Sequence, residues 1–282
     1  MSARARRIRS IRKTEPYLIN GALALAAVIA LFPLAWMASV SVMAPGEASS
    51  APPPLVPASP TLASYRELFS RAAIGRHLAN SVGLALAATA LSLAFNVTAG
   101  YAFAKLRFAG RDLIWKAVVG VMLVPAQVAM IPLFLLLKQL GLVNSYAGVL
   151  LPSLASASGM FLIRQYARGI PDELLEAARI DGAGELRIFW SVVVPVLRPV
   201  LVTLAIFAFL GSWNDFLWPL IVLSDDARQP LPVAIAALSR EHAGDSELMM
   251  AGAVVTVAPV LAVFVALQRY YLAGLVTGSV KG

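Results

Sequence analysis

The chain has 282 residues, 59% of them hydrophobic and 13% charged, with a mean hydropathy of +0.78 and a formal net charge of +8. Soluble domains carry roughly 25% charged residues, so the polar side chains are too few to cover a water-soluble globule, and disordered and collagen-like chains are excluded too. There is no cysteine, which removes disulfides, thiolate metal sites and cysteine nucleophiles.

A bilayer core of about 30 Å asks for about 20 apolar residues in a helix. In chain order six stretches meet this: Pro16–Gly46, Leu78–Ala104, Ala117–Leu137, Gln139–Ile163, Pro199–Ser224 (broken only by Asp215) and Leu248–Gln268. Period-two alternation is absent and the runs exceed barrel-strand length. The prediction is an all-α membrane protein with six transmembrane helices. The first run follows basic residues but far exceeds a signal-peptide core of roughly 7–15 residues, so it reads as a retained span. The organisation expected is a cytoplasmic basic segment over 1–15, the first transmembrane helix over 16–43, an extracytoplasmic stretch over 44–77, five further transmembrane helices within 78–268, and a cytoplasmic tail over 269–282.

Lys and Arg set the orientation. They crowd the first end (Arg4, Arg6, Arg7, Arg9, Arg12, Lys13), the second-to-third connection (Lys105, Arg107, Arg111, Lys116) and the fourth-to-fifth connection (Arg164, Arg168, Arg179, Arg187, Arg198). The opposite connections are poorer, so both termini are placed in the cytoplasm. The basic excess is thus a topology signal, and nucleic acid is not expected as a partner. Outside, Ala44–Pro60 holds six prolines, which favour a stiff, extended spacer. Leu62–Phe69 follows as a short helix on the outer surface, either an interfacial anchor or part of a docking face.

The connection over 168–195 is the most informative stretch. Pro171 suits a first helical position, and Asp172 and Glu173 put negative charge at the positive end of the helix dipole. Leu174, Leu175 and Ala178 form a small apolar face, and Glu176 is spaced to pair with Arg179. Gly182 and Gly184 then break the helix, and a second helix runs from Glu185 into the membrane. A plain tether needs no such charged knob, which argues for a cytosolic partner over a merely solvated loop.

In this knob, Glu176-Ala177-Ala178, Gly182 after three intervening residues, and Val192-Val193-Val194-Pro195 after nine more resemble the EAA motif of binding-protein-dependent ABC transporter permeases. Val192 and Val194 stand where that pattern has Ile and Leu. Trp213-Asn214-Asp215-Phe216-Leu217-Trp218-Pro219-Leu220 is similar to a run in carbohydrate permeases. The ending Gln268-Arg269-Tyr270-Tyr271, Gly274-Leu275 and Gly278-Ser279-Val280-Lys281-Gly282 is similar to the close of maltose-transporter G-type subunits, with Val276 before Thr277 as a departure. The resemblance implies a type I ABC importer permease fold in a bacterial or archaeal cytoplasmic (inner) membrane. It also implies a second permease subunit, two cytosolic ATPase subunits and an extracytoplasmic solute-binding protein, with lipid around them. It would make Asp172–Asp181 the helix that seats in the ATPase, with Glu176 meeting a basic side chain, Gly182 giving the turn, and Leu175, Ala177, Ala178, Arg179 and Asp181 completing the element.

A phosphate-binding loop needs glycine directly before its lysine. The five lysines follow Arg12, Ala104, Trp115, Leu137 and Val280. The chain is therefore expected to be no enzyme, with no catalytic residue, cofactor or metal site of its own; neither His77 nor His242 is expected to ligate a metal. ATP and Mg would sit on the partner ATPase. Asp215 is the one intramembrane acid, costly unless it faces water or a partner. With Asn214 it either lines the path or ties neighbouring helices. Trp213 and Gln127, the latter between Pro125 and Pro132, are further candidates for the path. The imported solute is expected to be a sugar or oligosaccharide; glycerol 3-phosphate, a peptide or an ion is the alternative, and an Asp215-centred secondary transporter the remaining one.

Overall fold

In the computed structural model, secondary structure is described for residues 3–70, 72–242 and 244–279, and side chains for 19–70, 72–242 and 244–268. Among them thirteen α-helices follow in chain order: α1 Ala3–Val40, α2 Ala63–Ser70, α3 Ile74–Lys105, α4 Arg111–Val121, α5 Ala126–Gln139, α6 Tyr146–Leu150, α7 Ala157–Arg168, α8 Asp172–Ile180, α9 Glu185–Ile188, α10 Val194–Trp213, α11 Leu217–Val222, α12 Leu231–Glu241 and α13 Ser246–Ser279. Four helical stretches are long and apolar enough to cross a membrane: Ile19–Val40, Ile74–Lys105, Glu185–Trp213 and Ser246–Gln268. Two bent pairs, α4 with α5 and the Tyr146–Ser153 segment with α7, raise this to six if each pair is one span. The chain divides into two compact units, Met1–Ala72 with Leu238–Val255, and Ala73–Ala237 with Thr256–Gly282.

In the first unit α1 leaves Ile19, Leu23, Leu25, Val28 and Ile29 more than half exposed, as side chains bathed in lipid are. The proline-rich segment has few N–H groups to spend on a ladder, and one carboxylate organises it. Glu47 accepts from the Ala44 N–H at 2.9 Å through Oε2 and from the Ala58 N–H at 2.5 Å through Oε1. Ser39 donates to the Leu55 carbonyl at 2.7 Å, and buried Glu247 accepts from the Ala48 N–H at 2.8 Å. The α2 helix lies one residue later at each end than the run Leu62–Phe69.

In the second unit α3 is the spine, packed along α7 and α10. Gly100 permits the closest approach: a Cβ there would stand 2.7 Å from Ile163 Cβ and 3.1 Å from the Arg164 N, so α3 and α7 cross nearly backbone to backbone. Arg164 is buried, donating Nε–H to the Phe103 carbonyl at 3.2 Å with its guanidinium 4.1 Å above the Trp115 ring. This contact holds α4 against α3 and α7 with a cation–π pair.

Three spans depart from expectation; the fourth, expected over Gln139–Ile163, is a pair bent by 42°, Tyr146–Ser153 with Ala157–Arg168. The third, expected as one continuous run over Ala117–Leu137, is broken by 108° between α4 and α5. Pro125 lacks an N–H and pushes the residue before it out of helical geometry, and it sits in extended geometry at φ −60°, ψ 129°. The fifth, expected over Pro199–Ser224, instead runs from Glu185 to Trp213. It starts early because Pro195 and Pro199 do not stop it: a π-helical turn over Phe189–Val193 precedes Val194, giving the backbone slack where proline donates nothing. It ends early because the chain turns at Asn214–Phe216 before α11. Asp215 therefore lies in a break between helices rather than within a span.

Candidate functional site

The knob after α7 folds as its residues dictate. Pro171 takes the position before α8, and Asp172 and Glu173 occupy the first turn. Leu175 is 2% exposed and belongs to a core cluster with Val97, Tyr101, Ile188, Phe189 and Val193, against which Ala178 is partly buried. Leu174 is 44% exposed, so the apolar face is narrower than its sequence implies. Glu176, Ala177 and Asp181 point outward. The helix closes in a Schellman motif: the Ala183 N–H reaches the Ala178 carbonyl and the Gly182 N–H the Arg179 carbonyl, both at 3.0 Å. Gly182 has φ +81° with open space where a Cβ would go, so its glycine answers to backbone geometry, not to packing.

Ion pairs fix the knob. Arg179 does not pair with Glu176, as the local spacing predicts, but with Glu185 across the glycine turn, at 2.7 Å from Nη2 to Oε1. The turn folds residue 185 back over the helix end, within reach of Arg179. The Tyr101 hydroxyl donates to Glu185 Oε2 at 3.1 Å. Lys105 Nζ donates to the Ile170 carbonyl at 2.5 Å and to Asp172 Oδ1 at 2.6 Å. The hydrogen bond and charge of Lys105 hold the Asp172 carboxyl below its ordinary range, and the Glu185 hydrogen bond raises Arg179 further. Glu176 takes part in none of these bonds. Elsewhere on the knob, Ile180 and Leu186 are 86% and 74% exposed.

Elsewhere in the same unit a cavity of about 730 Å³ opens between α3, α5, α7 and α10. Its walls are mostly apolar, from Ala88, Met130, Leu133, Leu162, Leu204 and Phe207, with hydroxyls from Ser92, Ser153, Ser156, Ser158 and Ser212 and one carboxylate, Asp215. Asp215 Oδ1 also accepts the Trp218 N–H at 3.3 Å, capping α11. Asp215 thus caps a helix and faces the cavity at once. Trp218 lines the wall with its indole N–H turned to the Gly148 carbonyl at 3.3 Å.

The other path candidates lie off this cavity. Trp213 is 1% exposed, stacks on Phe209 with centroids 5.8 Å apart, and donates to the Thr256 carbonyl at 3.1 Å, so its ring is already occupied. Asn214 is exposed and turns back to its own helix, donating to Leu210 O at 2.9 Å. Gln127 is exposed on α5, while Ala126, Met130 and Leu133 of the same helix line the wall. The break at Pro125 sets that face. The serines went unnoticed in the sequence because a serine inside an apolar run reads equally as a small packing residue. Among the described residues no three His, Asp or Glu side chains are grouped to hold a metal. His77 is buried with Nδ1 2.8 Å from the Gln229 carbonyl.

Residues 96–275 match the family model of the binding-protein-dependent transport system inner membrane component. An arabinooligosaccharides transport system permease protein of Halalkalibacterium halodurans is 37% identical over 277 residues, 96% of this chain and 99% of that one. A lactose transport system permease protein of Rhizobium radiobacter is 32% identical over 278 residues, with the same coverage of 96% and 99%. Among solved structures, a chain from the crystal structure of a bacterial ABC transporter involved in the import of the acidic polysaccharide alginate superposes with a TM-score of 0.81 at 26% identity, covering 96% of this chain and 99% of that one. The chain, a multi-pass membrane protein, belongs to the family of binding-protein-dependent transport system inner membrane components.

Proposed function

We propose that this chain forms half of the translocation path of an ATP-driven importer for a sugar or oligosaccharide, and that the Asp172–Asp181 knob transmits the work of a cytosolic ATPase. The observation that carries this is continuity: the knob leads through α9 and the π turn into α10, and Leu204, Phe207 and Ser212 of α10 wall the cavity. A displacement of the knob is thus delivered along one helix to the cavity wall. The carbohydrate assignment is supported by the names of the relatives above and by a wall in which hydroxyls outnumber charges.

Both termini and the knob lie in the cytoplasm on the Lys and Arg distribution. A second permease completes the path, two ATPase subunits bring ATP and Mg, and a binding protein delivers the solute from outside. No lysine of this chain follows a glycine, so the energy enters from the partner. ATP drives transport only by favouring one arrangement of the spans over another.

The test is reconstitution of the full complex in vesicles with labelled arabinooligosaccharide and lactose. ATP-dependent uptake is expected, falling on the order of tenfold or more in Glu176→Ala while the complex still assembles, because Glu176 makes no bond within the knob. Wild-type uptake that Glu176→Ala leaves unchanged overturns the coupling role of that residue.

A further inference from the structure

The knob is joined by chain to α7 on one side and α10 on the other; α3 is distant from it in sequence. Yet Tyr101 and Lys105, four apart on one face of the last turns of α3, hold both ends of the knob. Lys105, its side chain 8% exposed, grips the entry through the Ile170 carbonyl and Asp172. Tyr101 grips the exit through Glu185, whose other oxygen takes Arg179 from the end of α8. Gly169 and Gly184 flank the knob, and without these bonds both would be free to hinge. Burial of Leu175 in one apolar cluster with Val97 and Tyr101 brings the surfaces together but is non-directional and allows sliding; directed, charge-assisted bonds fix the register.

We propose that Tyr101 and Lys105 are positioning residues that clamp the knob to α3, so that α3 and the knob move as one lever. Ala88 and Ser92, further along α3, belong to the cavity wall. The clamp therefore delivers a movement of the knob to two walls, one through α10 by chain and one through α3 by side chains. This inference rests on the transport reading above.

The experiment measures solute moved per ATP hydrolysed in the reconstituted complex, a ratio that a loss of folding or yield does not shift. Tyr101→Phe with Lys105→Gln is expected to lower that ratio roughly three- to tenfold, and Lys105→Arg to keep most of it. Lys105→Ala is expected to lower it as well, because both the Ile170 carbonyl and Asp172 lose their donor. An unchanged ratio in the Tyr101→Phe, Lys105→Gln complex overturns the clamp, and so does a Lys105→Arg complex that loses as much of the ratio as Lys105→Ala. A wild-type complex with no ATP-driven uptake overturns the transport reading instead, so the two failures are distinguishable.

Discussion

The knob and the cavity wall belong to one compact unit and are held by opposite means. The knob is small, mostly exposed and rich in charge; Asp172, Arg179 and Glu185 are open to water, and the nearly buried Lys105 holds Asp172 from beneath. The wall is nearly uncharged and held by close approach of helices, with Gly159 of the lining against Asn96 and, off the lining, Gly100 of α3 against Ile163 of α7. A part that engages a partner gains from directed bonds that set its orientation, whereas a part that must change shape in lipid gains from surfaces with few bonds to break. The difference is testable from both sides.

The largest effect is expected at the α3–α7 crossing. Gly100→Val drives a branched side chain into Ile163 at 2.7 Å and should cost about 1–3 kcal/mol, seen as a lower unfolding temperature in detergent; an unchanged temperature would mean that the α3–α7 crossing tolerates separation. Next is Asp215→Asn. Asparagine also caps helices well, so the unfolding temperature should hold, while loss of the charged acceptor should raise the solute concentration for half-maximal uptake about fivefold. Unchanged uptake would leave Asp215 a helix cap alone. The smallest effect belongs to the knob and depends on pH. The Asp172 carboxyl, with Lys105 bonded to it and Arg107 and Arg179 nearby, titrates below its ordinary value of 3.8 when folded. A carboxyl lowered by folding stabilises above its unfolded pKa and ceases to as pH falls through the folded one. Wild type should therefore be more stable than Asp172→Asn at neutral pH, and the two should converge only below pH 3.8. Convergence already near pH 6 would show that another group holds the knob.

The all-helical fold was legible because apolar runs of spanning length leave helices as the solution. The knob was legible because its cues are local: acids in the first turn, a glycine at the end, charges on one side. Arg179 shows the limit. Spacing along a helix puts it beside Glu176, but the pair that forms crosses a turn whose path depends on Gly182 at φ +81°. Pro125 marks a disturbance, yet not an angle of 108°, which follows from how α5 packs rather than from proline itself. Gln127 lies off the cavity, and the sequence does not foretell it: where nearly every neighbour is apolar, periodicity does not say which face turns inward. Trp213 and Trp218 look alike in sequence, and only the chain break between them puts Trp218 on the wall and Trp213 within the core.

The π turn over Phe189–Val193 has a geometric consequence for the knob. An α-helix advances about 100° per residue, and a π turn holds one residue more than the α turn it replaces. The knob and the cavity-lining face of α10 are therefore set against each other by one extra residue, and the azimuth at which Glu176 leaves the protein is encoded in the length of that single turn. Removing one residue there would swing the knob by about 100° about the helix axis without altering any residue of the knob itself.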